Sequence, residues 1–207
     1  MKEFSWRMPS EVVCGAGCVD SLARRCAGWG ERPLLVTGRN SARLSGALGR
    51  VLAQFPDAAV FDAVEENPST ETCEAGAEVC RQAGCDWVIG VGGGSPMDAA
   101  KAIAVLARNP VPCEQYFGRD QFTNGNLPIA AIPTTAGTGS EVTPYAVITH
   151  RRDLSKKTVA GASLFPRLAL LDPELSVSMP RSVTVHSGMD ALSQAMEGML
   201  SRQSTPM

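Results

Sequence analysis

The segment that most constrains this chain is a short apolar run, Trp87 to Val91, that enters three consecutive glycines, Gly92-Gly93-Gly94. Ser95, Pro96, Met97 and Asp98 follow, and then Ala99, Ala102, Ile103, Leu106 and Ala107 fall at the i, i+3, i+4, i+7, i+8 spacing of a buried helix face. The spacing predicts a strand, a tight turn and a helix ending near Arg108. Glycines let backbone amides approach a ligand with no Cβ in the way, and a helix N-terminus adds the positive end of its dipole. An anion such as a pyrophosphate suits such a turn, although the run does not match G-x-G-x-x-G. The alternative is a packing turn in which Ser95 is the N-cap and Asp98 its capping-box partner.

The same alternation recurs along the chain. Strands are predicted at Pro33 to Thr37, Ala58 to Asp62, Trp87 to Val91, Leu127 to Ile132 and Leu168 to Leu171, with helices over Val19 to Cys26, Ser41 to Leu52 and Glu71 to Ala83 between them. Such a pattern buries both faces of a parallel sheet, the α/β doubly wound plan. Ser140 to Lys157 reads as a β-hairpin projecting from that sheet. Beyond Asp172 and Pro173 a short helical turn ends at Pro180, and a long helix covers Ser182 to Ser201. Its Met189, Leu192, Met196, Met199 and Leu200 exceed what a sheet edge needs, and Arg202 to Met207 offers no closing element. The expected division is therefore 1–180, an α/β domain, and 181–207, the first helix of a truncated helical domain.

Composition narrows the functional classes. The 207 residues carry 21 acidic and 19 basic side chains, a net charge of −2. That balance argues against a nucleic-acid partner, which requires an excess of Lys and Arg to displace counterions. No apolar run reaches the roughly 20 residues of a membrane span, and Lys2, Glu3 and Arg7 interrupt the start where a leader would be apolar. A cytoplasmic location without membrane association is expected. The 7 cysteines are odd in number and form no C-x-x-C pair, so they are read as free, small apolar residues.

A second glycine-containing loop follows another predicted strand: Pro133-Thr134-Thr135-Ala136-Gly137-Thr138-Gly139-Ser140-Glu141. Its hydroxyls and glycines could bind phosphate and ribose oxygens, or could satisfy themselves as Ser/Thr turns. Glu65-Glu66-Asn67-Pro68 is a third candidate turn. In a parallel sheet all three leave the carboxyl ends of strands and can meet in one crevice. His150, in a charged stretch, is expected at the surface.

Four runs, GGGSPMDAAK at Gly92 to Lys101, PTTAGTGSE at Pro133 to Glu141, LLDPEL at Leu170 to Leu175 and GMDALSQAMEGMLS at Gly188 to Ser201, resemble the iron-containing (group III) alcohol dehydrogenase family. The resemblance spans essentially the whole chain but covers only that family's amino-terminal nucleotide-binding domain and the first helix of its all-helical metal domain. It implies a Rossmann-like α/β sheet with a β-hairpin excursion, on the dehydroquinate synthase-like plan. It also implies hydride transfer between a nicotinamide cofactor and a primary or secondary alcohol or its aldehyde, a small-molecule substrate, with metal assistance. Association into homo-oligomers is compatible with it.

By resemblance, Gly93, Gly94, Ser95 and Asp98 lie against the cofactor pyrophosphate, Thr134, Thr135, Thr138 and Ser140 line the adenosine and nicotinamide side, Lys157 reaches a ribose, and Asn67 sits near the reactive end. The family selects NAD with an acidic residue at the end of the first sheet strand, which holds the ribose 2′-hydroxyl and repels a 2′-phosphate. Here Gly38 occupies that place, with Arg39, Ser41 and Arg43 nearby, so the expectation leans to NADP over NAD. The metal ligands implied are an Asp and, one helical turn on, a His. Asp190 is in place but Gln194 stands where the His belongs, which leaves the divalent metal, iron or zinc, open. His186, one turn before Asp190, is read as a helix-terminal histidine. No general acid or base identifies itself. Two alternatives stand: a non-catalytic nucleotide-binding module, and a zinc enzyme resembling glycerol dehydrogenase.

Overall fold

The computed structural model of the chain describes residues 3, 5, 7–110, 112–202 and 204. The expectations resting on Lys2 and on Gln203 and Thr205 to Met207 fall outside these residues. In chain order the elements are β1 (Glu11–Cys14), α1 (Leu22–Arg25), β2 (Pro33–Gly38), α2 (Ser41–Leu44), α3 (Ala47–Gln54), β3 (Ala59–Val64), α4 (Thr70–Gln82), β4 (Trp87–Gly92), α5 (Gly94–Leu106), β5 (Gly118–Arg119), β6 (Ile129–Pro133), β7 (Tyr145–His150), β8 (Ser155–Ala160), β9 (Leu168–Leu171) and α6 (Arg181–Leu200).

Six strands form one sheet in the order β1-β9-β6-β4-β2-β3, every adjacent pair parallel. Parallel strands require crossovers, and the crossovers here cover both faces. On one face α4 and α5 bury Cys73, Ala77, Cys80, Ala99 and Ile103 against Leu34, Val36, Val88 and Ile129. On the other, Val19, Leu22, Ala42, Ala47, Leu48 and Val51 pack on Leu35, Ile89, Val91, Ile132 and Leu170. With layers on both sides, every residue of central β4 is buried, which is why WVIGVG is apolar without alternation.

The hairpin is present as β7 and β8, antiparallel, but it does not project freely. With two-residue β5 it makes a second, three-stranded sheet, and Ala146, Ile148 and Val159 join the α4–α5 core. Three further departures have local causes. Gly46 adopts the left-handed region at φ 77, which breaks the predicted Ser41 to Leu52 helix into α2 and α3. The Val19 to Cys26 helix opens as a 3₁₀ turn over Cys18–Ser21 before α1 begins. Strand β1 escapes sequence reading because its four residues lie on an edge and, apart from half-buried Val13, are exposed.

β1 is joined to the sheet's far chain end. Among the described residues it pairs only with β9, while Asp172, its side chain wholly buried, accepts from the backbone amides of Gly17 and Val19 and lies 3.4 Å from the guanidinium of Arg50, itself bound to Asp20 and Glu174. The cysteines are free, and burial pushes the thiols of Cys26, Cys80 and Cys113 up to about 12, consistent with packing rather than reactivity. No helix among the described residues is long and apolar enough to cross a membrane.

Candidate functional site

The order of the sheet places the site. From β2 the chain moves outward to β3, then returns to β4 on the opposite side and continues to β6 and β9. Ligands of open α/β sheets lie beyond the carboxyl ends of the strands at such a reversal, here between Gly38 and Gly92. Gly92 has φ 143, and a Cβ there would sit 2.8 Å from Pro96 Cγ, so both conformation and space call for glycine. Gly93 is the N-cap of α5 and no side chain caps the helix. The positive end of the α5 dipole therefore faces the crevice.

Ser95 is not the cap, and Asp98 is not its capping-box partner. Ser95 lies inside the first turn, where its Oγ accepts from the Asn67 amide at 3.1 Å. Asn67 holds φ 55, left-handed and unusual for a non-glycine residue, with its carbonyl accepting from Thr149 Oγ1 at 3.0 Å. The second loop meets the same turn: the Thr134 amide donates to the Gly92 carbonyl at 2.8 Å, and a Cβ on Gly94 would touch Thr138 Cγ2 at 3.0 Å. The turns at Asn67, Gly92 and Pro133 thus share one rim.

Two cavities flank the glycine turn. The larger, about 690 Å³, is lined by Asn67, Ser95, Asp98, Thr138 and Ser140 on one side and by His186, Asp190 and Gln194 of α6 on the other. The smaller, about 320 Å³, lies between Asn40, Ser41 and Leu44, the pair Thr134 and Thr135, and Met179 to Val183. The hydroxyls of Thr134 and Thr135 are buried there without a hydrogen-bond partner. Because an unpaired buried hydroxyl costs on the order of 1–3 kcal/mol, two at one cavity fit a polar ligand that completes them, as a nucleotide would. α6 meets the second loop by close backbone approach: Gly137 has φ 156, and a Cβ there would strike the Ser187 carbonyl oxygen.

One functional group was missed in the sequence. Lys101 is wholly buried in α5, its ammonium donating to the Tyr145 carbonyl at 2.7 Å and to Ser140 Oγ at 2.8 Å, with Asp98 Oδ1 at 3.5 Å. Burial lowers its pKa to about 8, against the raising effect of Asp98 and Glu141. Asp98 also accepts from Ser140 Oγ at 2.6 Å and from the Val147 amide at 3.0 Å. The signal lay in the sequence: a lysine between Ala100 and Ala102, in a helix whose following residues are all apolar, demands a buried partner.

Other residues fall less neatly. Lys157 forms an ion pair with Asp153 at 3.2 Å, while its neighbour Lys156 lines the larger cavity, as expected where successive strand residues point to opposite faces. Gly38 ends β2 as expected, and a Cβ there would meet the Val64 carbonyl at 3.2 Å. Arg43 is bound to Asp62 at 2.9 Å, whereas Arg39 is exposed and Ser41 lines the smaller cavity. His150, expected at the surface, is only 15% exposed and bridges Glu114 and Asp153, both at 2.9 Å.

Asp190 and Gln194 stand one turn apart on α6, with Gln194 Nε2 donating to Asp190 Oδ2 at 3.0 Å. Both residues line the larger cavity and offer an all-oxygen pair of donors, with His186 one turn earlier at the same wall. These donors fit one side of a divalent cation's shell and favour a hard ion over a soft one. Among the described residues no group of three or more His, Cys, Asp or Glu is placed to hold a metal.

With the geometry in place, comparison with known proteins is specific. The family model for iron-containing alcohol dehydrogenase matches residues 9–173. The chain is 36% identical over 209 aligned residues to an NADPH-dependent butanol dehydrogenase of Clostridium saccharobutylicum, covering 96% of this chain and 52% of that protein. The crystal structure of a 1,3-propanediol oxidoreductase superposes with a TM-score of 0.92 at 34% identity, over 99% of this chain and 55% of the other. A sulfoacetaldehyde reductase from Bifidobacterium kashiwanohense, solved with NAD+, gives a TM-score of 0.92 at 33% identity over 100% of this chain and 56% of its own. The chain spans about half the length of the curated relatives it matches.

Proposed function

The chain belongs to the iron-containing alcohol dehydrogenase family, and from that premise we propose that it forms the nucleotide-binding part of an oxidoreductase acting on an alcohol and aldehyde pair. When bound, the nicotinamide cofactor supplies the hydride acceptor, and in reverse the donor. The observation that carries the reading is the shared rim of three turns beside the two unpartnered hydroxyls of Thr134 and Thr135. In this reading Gly93, Gly94 and Ser95 take the pyrophosphate through backbone amides. Thr134 and Thr135 take the adenosine side, and Thr138, Ser140, Asn67 and Lys156 border the nicotinamide side. The unit 1–180 holds the nucleotide, and 181–207 begins a helical unit.

Asp190 and Gln194 would hold one side of a divalent cation, iron or zinc, whose charge supplies Lewis-acid polarisation of an alcohol or carbonyl oxygen. The protein's own contribution is positional: α6 brings Asp190 to the cavity that Asn67 and Ser95 border, so alcohol and nicotinamide would meet between them. Because α6 presents these groups to open solvent, turnover by this chain alone is expected to be slow.

Gly38 and exposed Arg39 support a preference for NADPH. Calorimetry with both reduced cofactors tests the whole reading, with NADPH expected to bind several-fold tighter. Absence of binding by either cofactor would overturn the proposal, and tighter NADH binding would overturn the preference alone. Gly38→Asp is expected to reverse the order at a small cost in stability, because the added Cβ meets the Val64 carbonyl at 3.2 Å.

A further inference from the structure

Asp98 poses an electrostatic problem for any pyrophosphate at the glycine turn. Its carboxylate borders the larger cavity and sits one turn into α5, so an incoming dianion approaches a fixed negative charge. The cation paired with it is Lys101, on the same helix and inaccessible to solvent, with its ammonium 3.5 Å from Asp98 Oδ1. We infer that Lys101 is a positioning residue that neutralises Asp98 from beneath, so that the crevice accepts a dinucleotide's phosphates while Asp98 still anchors Ser140 and the β7 backbone. The inference rests on the nucleotide-binding reading above.

Three observations support it. Lys101 is wholly buried and lines neither of the two cavities at the glycine turn, so its charge acts through Asp98 and Ser140 rather than on a ligand directly. The two oxygens of Asp98 are divided between the elements that shape the rim: Oδ1 accepts from Ser140 Oγ at 2.6 Å, and Oδ2 accepts from the Val147 amide at 3.0 Å. Lys101 reaches the same two elements, at Ser140 Oγ and at the Tyr145 carbonyl. Loss of the ammonium would therefore expose a carboxylate and loosen the start of β7 together.

The charged groups facing Lys101 are Asp98 from its own helix and Glu141 from the turn after the second loop. From the other packed elements come the Ser140 and Thr143 hydroxyls and the Tyr145 carbonyl, all neutral; on the α4 side Cys73, fully buried with its thiol pushed well up, faces Asp98. Burial brings the Lys101 pKa to about 8, so its charge is lost within an accessible pH range.

The test is binding of ADP-ribose, which carries the pyrophosphate but no nicotinamide, to the full chain by calorimetry. At pH 7, Lys101→Met is expected to weaken binding by about tenfold or more, because an uncompensated carboxylate then faces the phosphates. Asp98→Asn combined with Lys101→Met is expected to recover most of that loss. Binding to the unaltered chain should weaken as pH rises through about 8, while the double variant should show a flat profile. A lysine that served packing alone would leave the double variant as weak as the single one, and that result, or a flat profile in the unaltered chain, would overturn the inference. Should Lys101→Met fail to fold, the pH profile decides by itself. If the unaltered chain binds no ADP-ribose, the nucleotide reading falls and this inference with it; if it binds and Lys101→Met binds equally well, only the inference falls.

Discussion

Helices α5 and α6 both start at the crevice, yet they stand in opposite relations to the rest of the molecule. Ten of the 13 residues of α5 are buried, including a lysine whose charge is matched. None of the 20 residues of α6 is buried, although Val185, Met189, Leu192, Met196 and Met199 are each more than half exposed. One helix finds its complete environment within this chain, while the other meets the body chiefly where Gly137 approaches Ser187. Helix formation and helix burial are thus separable here: α6 has the composition for packing and lacks a surface to pack on.

The most severe challenge to this contrast is a pair of truncations. Ile103→Ala should cost about 2–5 kcal/mol by removing a wholly buried side chain, whereas Met196→Ala, 55% exposed, should stay within about 0.5 kcal/mol. Equal shifts in urea denaturation would mean that α6 is packed after all. A finer probe is Gly137→Ala, whose Cβ would strike the Ser187 carbonyl. We expect it to release α6, lowering amide-exchange protection along that helix while α5 is unchanged; loss of protection in both would show that they unfold as one unit.

The smallest effect concerns the hairpin that covers α5. Hydrogen bonds to Glu114, then to Asp153, raise the His150 pKa above its ordinary value. A raised folded-state pKa stabilises fully below the unfolded value near 6.5 and is lost as pH rises through the folded value. The denaturation midpoint should therefore fall slightly from pH 6 to above neutrality, and His150→Gln should lack that component.

Much of the fold was legible because buried parallel strands need uninterrupted apolar residues, as Leu34 to Val36 and Val88 to Val91 provide. The glycine turn was legible for a related reason, since neither Gly92 nor Gly137 can carry a side chain where it stands. Legibility failed where a choice depended on distant partners. That Lys156 lines the larger cavity while Lys157 pairs with Asp153 is not legible, because a sequence does not show which face of a strand meets the crevice and a shift of one residue reverses the answer. The alternative of Ser95 as a cap stays open in the sequence because nothing local reveals the Asn67 amide that its hydroxyl accepts from. Lys101 vanished into an apolar face because counting hydrophobic positions ignores the one that is charged.

The junction of β1 with β9 has a bearing on how the chain is made. The Gly17 amide waits for Asp172, 155 residues downstream, and at about 5–20 residues per second that residue is synthesised roughly eight to thirty seconds later. Until then β1 has no neighbouring strand to pair with, so this edge of the sheet cannot form before β9 has been made.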